Sequence, residues 1–387
     1  MVIPLKYNLR NLFVRWRATL ATILGVGLVV FVYIWLQALA AGLEKASGTT
    51  GDPRNLIVVR LGSDSESSSQ ISPESYNLLK YYEEIARDED GQPLVSADTI
   101  VVANIPRVGT DGGANVMFRG VSPRSVQLRP QVSLVGGRWF EAGNREITVS
   151  TRIAGRFADM QIGGILKIGA KELKVVGHFD AKGSAFDSEA WMDANEARGL
   201  FNRSNYSSVL VRPKDVASIP LLKARLEGEK RLAVRVRPEV EYYSEQTKTA
   251  TPIRYLGNLL AVAMSIGAVF AAMNTMYASV GARTREIGTL RVLGFPRSAV
   301  VFGILLEGAT LAMVGGLLGI MFGLLANGYQ TGTFNFQTFS ESVFEIKVTP
   351  LIALKGLIFS AIVGVLGSML PALRASNMPL IAALKAI

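Results

Sequence analysis

The 387-residue chain contains no cysteine and only one histidine, His178. Disulfides cannot staple it, and zinc clusters built from histidine and cysteine, like Cys-His nucleophilic sites, are excluded. His178 lies in a strand-like run, VVGHFD, where it reads as a structural side chain. No GxxxxGK[ST] phosphate loop occurs anywhere in the sequence. Carboxylates are plentiful but show no spacing that marks an acid-base pair, so no catalytic residues and no metal ligands are assigned. The formal charge is +10, yet no basic patch is interleaved with aromatics, which argues against nucleic-acid binding.

Long apolar runs are what the chain does have. Ala18 to Ala41, Leu256 to Val280, Ala299 to Ala326 and Leu351 to Leu370 are each long enough to cross a hydrocarbon core, which needs about 20 residues of helix. One precedes a polar segment and three follow it. The positive charge is distributed around these runs. Lys6, Arg10, Arg15 and Arg17 precede the first span, and Arg283, Arg285, Arg291 and Arg297 stand against Glu286 between the second and third. With Arg374 and Lys385 in the tail, these segments carry nearly the whole excess, while Leu43 to Arg254 is close to neutral. By the positive-inside rule both termini and the Gly281 to Ser298 loop are cytoplasmic, and Leu43 to Arg254 is exported together with the shorter loop Asn327 to Pro350. The first run exceeds a signal-peptide h-region and reads as a retained anchor.

The exported segment, at about 210 residues, can bury a core without disulfides. Strand-like runs are Asn55 to Arg60, Thr99 to Val108, Asn115 to Val121, Glu146 to Ser150, Ile165 to Phe179 bent at Gly169-Ala170, Ser207 to Arg212 and Ala233 to Arg237. Helix starts fall at Ser72, Thr151, Asp193 and Asp215. Ser63 to Gln70, SDSESSSQ, reads as a mobile polar loop. The order of elements predicts one α/β lobe interrupted by a second lobe at 126–206, with Glu239 to Thr249 running on towards the second span as a stalk.

Within the spans, Gly315, Gly319 and Gly323 recur at every fourth residue, as do Ala263, Gly267 and Ala271, a spacing that lets helices approach closely in a bundle or a dimer. Two charges lie inside the spans, Glu307 and Lys355. Both are near enough to a membrane face to snorkel or to pair with each other, and a structural role is favoured. No ionisable chain crosses the bilayer, which argues against an ion-coupled carrier.

The loop between the second and third spans carries the sharpest motif. Asn274-Thr275-Met276 leads through SVGARTREIGTLRVLGFPRSAV to Leu306-Glu307-Gly308, with a helical segment ended by Gly294 and Pro296. This string resembles the corresponding region of the MacB/FtsX family of ABC transporter permeases, where a run of the form RTREIG…R.LG precedes a helix with an EG or EA pair and a glycine-rich stretch, here VGGLLGIMFG. The closing LPALRASNMPLIAALKAI is similar to the family's last run, in which a proline and a basic residue end the fourth span. GVSPRSVQLRPQVSLVGGRWF and ITVSTRIAGRFADMQIGGILKIGAKELKVVGHFD look like the MacB-type periplasmic core.

The resemblance implies an α-helical membrane protein with four transmembrane helices and a large extracytoplasmic α+β domain between helices 1 and 2. In that reading 1–17 is a cytoplasmic basic segment, 18–41, 255–280, 299–326 and 351–371 are the spans, 42–254 is the exported domain, 281–298 the coupling loop, 327–350 a short exported loop and 372–387 a cytoplasmic tail. Arg283, Arg285, Glu286, Gly288, Arg291 and Gly294 would dock an ATPase. The implied partners are a separate ABC ATPase subunit, which would bind ATP and Mg, and a second permease copy or paralogue. A membrane-fusion adaptor is a further implied partner. The expected location is the bacterial inner membrane, and the expected activity is ATP-driven movement of the exported domain for export or extraction of a lipid, lipoprotein, peptide or drug. An FtsX-like signalling subunit that regulates an extracytoplasmic enzyme is the alternative, and the size of the exported domain favours transport.

Overall fold

The computed structural model describes residues 16–246, 250–335 and 338–379. Lys6, Arg10, Arg15 and Lys385 lie outside the described residues. The chain divides into two compact units.

The first unit comprises 1–41, 251–329 and 346–387 and is helical. Its long helices are α1 (Trp16–Gly48), α8 (Ala250–Ala282), α10 (Arg297–Leu325) and α11 (Pro350–Ser376), and a short α9 (Thr284–Val292) joins α8 to α10. Four apolar stretches of these helices, Thr19–Ala46, Arg254–Ala282, Arg297–Leu325 and Pro350–Ser376, are long enough to cross a membrane. Hydrocarbon supplies no hydrophobic force between helices, so close backbone approach and buried polar contacts hold them. The glycine spacing works between α1 and α10: a Cβ added at Gly319 would stand 2.5 Å from the carbonyl oxygen of Gly27, and one at Gly315 2.7 Å from that of Ile23. At Gly323 it would meet Ile34 at 2.9 Å. Gly267 has no neighbour near its Cβ position, so its stripe is left exposed within the chain. Thr22 donates to Thr275 (2.8 Å) and Gln37 to Asn258 (2.7 Å), tying α1 to α8. Pro371 does not end the last helix. Its missing N–H removes one rung, to the carbonyl of Gly367, and α11 continues to Ser376.

The second unit comprises 42–250 and 330–345. It is built on a ten-stranded sheet of order β10-β1-β9-β2-β3-β8-β5-β7-β4, with β6 paired to β7. The strands are β1 (Leu56–Arg60), β2 (Val95–Pro106), β3 (Gly113–Val121), β4 (Ser133–Gly137), β5 (Glu146–Ser150), β6 (Ile165–Ile168), β7 (Lys171–Asp180), β8 (Glu189–Asp193), β9 (Ser208–Val211) and β10 (Val234–Pro238). The helices are α2 (Pro73–Leu79), α3 (Ser125–Leu128), α4 (Thr151–Ala154), α5 (Ala194–Leu200), α6 (Ser218–Gly228) and α7 (Glu239–Gln246). Ser72 caps α2 ahead of Pro73, and Asp193 caps α5 by accepting from Asn195 and Glu196.

Three large apolar clusters make up most of the core among the described residues. Leu56, Val58, Leu79, Val209, Leu222 and Val236 make the inner one. Phe118, Ile147, Val149, Phe157, Leu173 and Met192 make the outer one, which also takes Val101, Ile105 and Val116 from β2 and β3, so residues 126–206 do not close a core alone. The third, around Trp191, Phe179, Phe186 and Tyr243, lies between. The segment expected as a short loop after the third span contains a hairpin, β11 (Gln330–Asn335) and β12 (Ser340–Glu345), whose Val343 belongs to the outer core.

Candidate functional site

At the end of α8, the chain turns through Arg283 into α9. Glu307, on α10, is only 5% exposed, and Arg283 donates to both of its oxygens, at 2.9 and 3.3 Å. The in-span glutamate is thus paired with the loop and not with Lys355, which is exposed on α11. A lone carboxylate at this depth would be costly, and the forked guanidinium both neutralises it and fixes the start of α9 against α10. The inner face of α9 is Ile287 and Gly288, both buried, and Arg291 reaches the carbonyl of Ser376 at the end of α11 (2.5 Å). Gly294 ends the helix at φ +93°, with Phe295 N–H bonded to Leu290 and Gly294 N–H to Arg291, the two bonds of a Schellman cap. Arg285, Glu286 and Thr289 are exposed, followed by Val292 (58%) and Leu293 (67%). Of the six residues assigned to coupling, Arg283, Gly288 and Arg291 therefore face their own unit, while Arg285, Glu286 and Gly294 face away from it.

The second unit holds a buried ionic cluster that the sequence did not announce. Arg119 on β3 donates to Glu189 (2.7 and 2.9 Å), to Glu66 (2.9 and 3.1 Å) and to Asp98 (3.2 Å). Arg129, after α3, donates to Asp98 (2.7 Å) and Glu239 (3.3 Å). Both guanidiniums lie over the ring of Phe186, at 5.3 and 5.0 Å. Glu66 belongs to the run expected to be mobile. Instead a single 3-10 turn, Glu66–Ser68, is pinned, with the Glu66 carboxylate also accepting from Ser208 (2.6 Å) and Tyr243 (3.1 Å) and its N–H donating to Tyr242 (2.7 Å).

Burial pushes the Glu66 carboxyl up, but the charge and hydrogen bonds of Arg119 outweigh it and hold Glu66 below the ordinary range. For Glu239 burial wins over Arg129, and its carboxyl is raised. Burial also raises the Tyr243 phenol far above its usual value. Burial disfavours the charged form of Arg119, yet Glu189 and Glu66 keep it protonated.

Glu239 opens α7 and joins the two chain entries to this domain. Its carboxylate accepts from the N–H of Asp52 (2.9 Å) and the side chain of Asn55 (2.8 Å), which follow α1. The chain coming from the first span and the chain going to the second are thus fastened to one carboxylate, and through Arg129 to the cluster. Arg119 stands inside an apolar strand run, NVMFRGV, and an arginine in such a run is the one sequence signal that could have marked it.

Comparison with known proteins decides what this pairing of a cytoplasmic-type motif with an α/β domain belongs to. Residues 18–229 match the MacB-like periplasmic core domain, and residues 258–380 the FtsX-like permease C-terminal family. The chain belongs to the MacB/FtsX family of ABC transporter permeases. The macrolide export ATP-binding/permease protein MacB of Hahella chejuensis is 24% identical over 85% of this chain and 55% of its own length. The protein of the same name from an Escherichia coli O6:K15:H31 strain is 28% identical over 95% of this chain and 59% of its own. The chain thus spans a little over half the length of these relatives. An uncharacterized ABC transporter permease of Bacillus subtilis, YknZ, is 26% identical over 64% of this chain and 63% of its own. The solved extracellular domain of YknZ aligns with 47% of this chain and 99% of that domain, at 18% identity and a TM-score of 0.38.

In MacB/FtsX terms, the α9 motif falls within the permease C-terminal match and all six cluster residues except Glu239 fall within the periplasmic core match. Among the described residues no group of three or more histidine, cysteine, aspartate or glutamate side chains could hold a metal ion.

Proposed function

We propose that this chain is the permease subunit of an ABC transporter in the bacterial inner membrane, coupled through α9 to an ATPase carried on a separate polypeptide, and that ATP binding and hydrolysis there move the exported domain to export or extract a substrate such as a lipid, lipoprotein, peptide or drug. The observation that carries the reading is the construction of α9. Its inner face is clamped by the Arg283–Glu307 pair and the Arg291 contact, while Arg285, Glu286, Val292 and Leu293 are presented outward. A helix held rigidly on one side and exposing a charged and apolar strip on the other suits docking of a partner that pushes on it. No phosphate loop lies within these 387 residues, so ATP and magnesium would bind the ATPase that docks on α9. A second permease copy would complete the transporter, and the exposed stripe of Ala263, Gly267 and Ala271 suits close helix approach. In this reading the work is done outside the bilayer, since Glu307 is already neutralised inside the subunit by Arg283 and the spans carry no chain of ionisable residues in their sequence. Only contacts that differ between nucleotide states can drive such movement.

The test is charge reversal on the outward strip, Arg285→Glu with Glu286→Arg, in the full chain co-expressed with its candidate ATPase. Membrane insertion is expected to persist, and co-purification and stimulated ATPase activity to be lost. Survival of both would reduce the loop to a determinant of topology.

A further inference from the structure

We infer that the β11–β12 hairpin is a second transmission arm, with Glu341 as the positioning residue that fastens it to the outer half of the exported sheet. The inference rests on the coupling reading above. Residues 326–329 and 346–349 are all that separate the hairpin from α10 and α11, and these linkers are bonded to each other. Gly328 N–H donates to Ile346 (3.0 Å), Ile346 N–H to Tyr329 (3.0 Å) and Val348 N–H to the side chain of Asn327 (3.0 Å). They leave little slack along the chain.

The hairpin itself is anchored mainly on the outer lobe, and its Phe344 and Glu345 also lie against Gly42 near the end of α1. Val343 lies in the core with Phe118, Ile147 and Met192, and its N–H donates to the Ser188 hydroxyl (2.8 Å). Asn115 on β3 donates to the carbonyl of Phe339 (2.8 Å). Glu341, 5% exposed, is held by Arg107 at the end of β2 and by Arg156 after α4 (2.7 Å). A hairpin that merely closed a loop would have no need of a buried carboxylate, whose desolvation costs several kcal/mol before its partners offset it. Two arginines from separate segments instead define one register and one seat. None of these partners lies in the inner core around α2 and α6, which receives the chain from α1 and α7 by the other route.

Two routes with different main seats give separable outcomes. The chain has no native cysteine, so spin labels can be placed singly at Lys167→Cys on β6, for the outer lobe, or at Ala224→Cys on α6, for the inner lobe. In the full complex with its ATPase, inter-subunit distances are measured with and without trapped ATP. Glu341→Gln is expected to abolish the nucleotide-dependent change at Lys167→Cys and to keep it at Ala224→Cys. A short Gly-Ser insertion after Ala326, paired with one after Lys347, leaves the clamp whole and adds slack. It is expected to give the same split, which a purely structural role would not. If both labels respond in both variants as in the parent, or if both fall silent in the slack variant, the arm is refuted. A parent complex in which neither distance changes defeats the coupling reading, and the arm with it.

Discussion

At the residue scale, the molecule concentrates its risk in six buried side chains. Four carboxylates share two guanidiniums around Phe186, and removal of one partner strands the others away from water. Arg119→Ala is expected to destabilise the exported domain by about 3–5 kcal/mol, read by denaturant unfolding of the full chain in detergent. The pH response follows from the two opposite shifts. Glu66, held below the ordinary value of 4.5, adds stability that is present above that value and is lost as pH falls through its folded pKa. Glu239, raised, does the reverse: the folded state holds its proton more firmly, and stability falls as pH climbs from 4.5 through the raised value. Glu66→Gln should therefore flatten the acid limb of a melting profile, and Glu239→Gln the limb above it. Little of this was legible in the sequence. Glu66 sits among serines, in composition that ordinarily stays solvated, and only the distant Arg119 makes its burial favourable. Glu307 was marked as an in-span charge, but its partner could not be read, because Arg283 and Lys355 are both basic and the choice depends on how α9 turns back on α10.

At the scale of elements, strands with alternating or β-branched runs were legible, and those without such a pattern were not. β8, Glu189–Asp193, is buried on both faces and includes Glu189 and Asp193 for the cluster and the α5 cap, so its charges hid it. β4, Ser133–Gly137, is an exposed edge with two glycines. β11 and β12 read as polar loop because their seats are supplied by residues far away in sequence. The glycines of α10 were legible as a packing face, though not which helix they meet. Gly319→Leu should force α1 away, since its Cβ would stand 2.5 Å from the carbonyl of Gly27, and the loss of helix packing is checked by thermal stability in detergent. Gly267→Leu, with open space at its Cβ, should leave the subunit's stability unchanged and instead weaken self-association, measured by cross-linking in membranes. Gly294→Ala should cost about 1 kcal/mol or more, because φ +93° disfavours any L side chain, and should shift the outward strip of α9.

At the scale of the whole molecule, the four apolar helices and the asymmetric placement of an α/β domain were legible from hydropathy and charge alone, because membrane insertion is governed by composition. A reporter enzyme active only outside the cytoplasm should work when inserted at Gly112, in the exposed β2–β3 turn, and fail at Ser298. The reverse pattern would overturn the orientation. What composition could not reveal is that the exported domain is discontinuous: residues 42–250 are completed by 330–345. Synthesis therefore imposes an order. After residue 250 has emerged, the domain has an empty slot where Val343 belongs and two arginines, Arg107 and Arg156, waiting for a carboxylate that is still two membrane helices away on the nascent chain. The third span must be threaded before the domain can finish folding, so a protein truncated after its second span would present an unfinished core to quality-control proteases, and maturation of the outer lobe reports that the third span has been inserted.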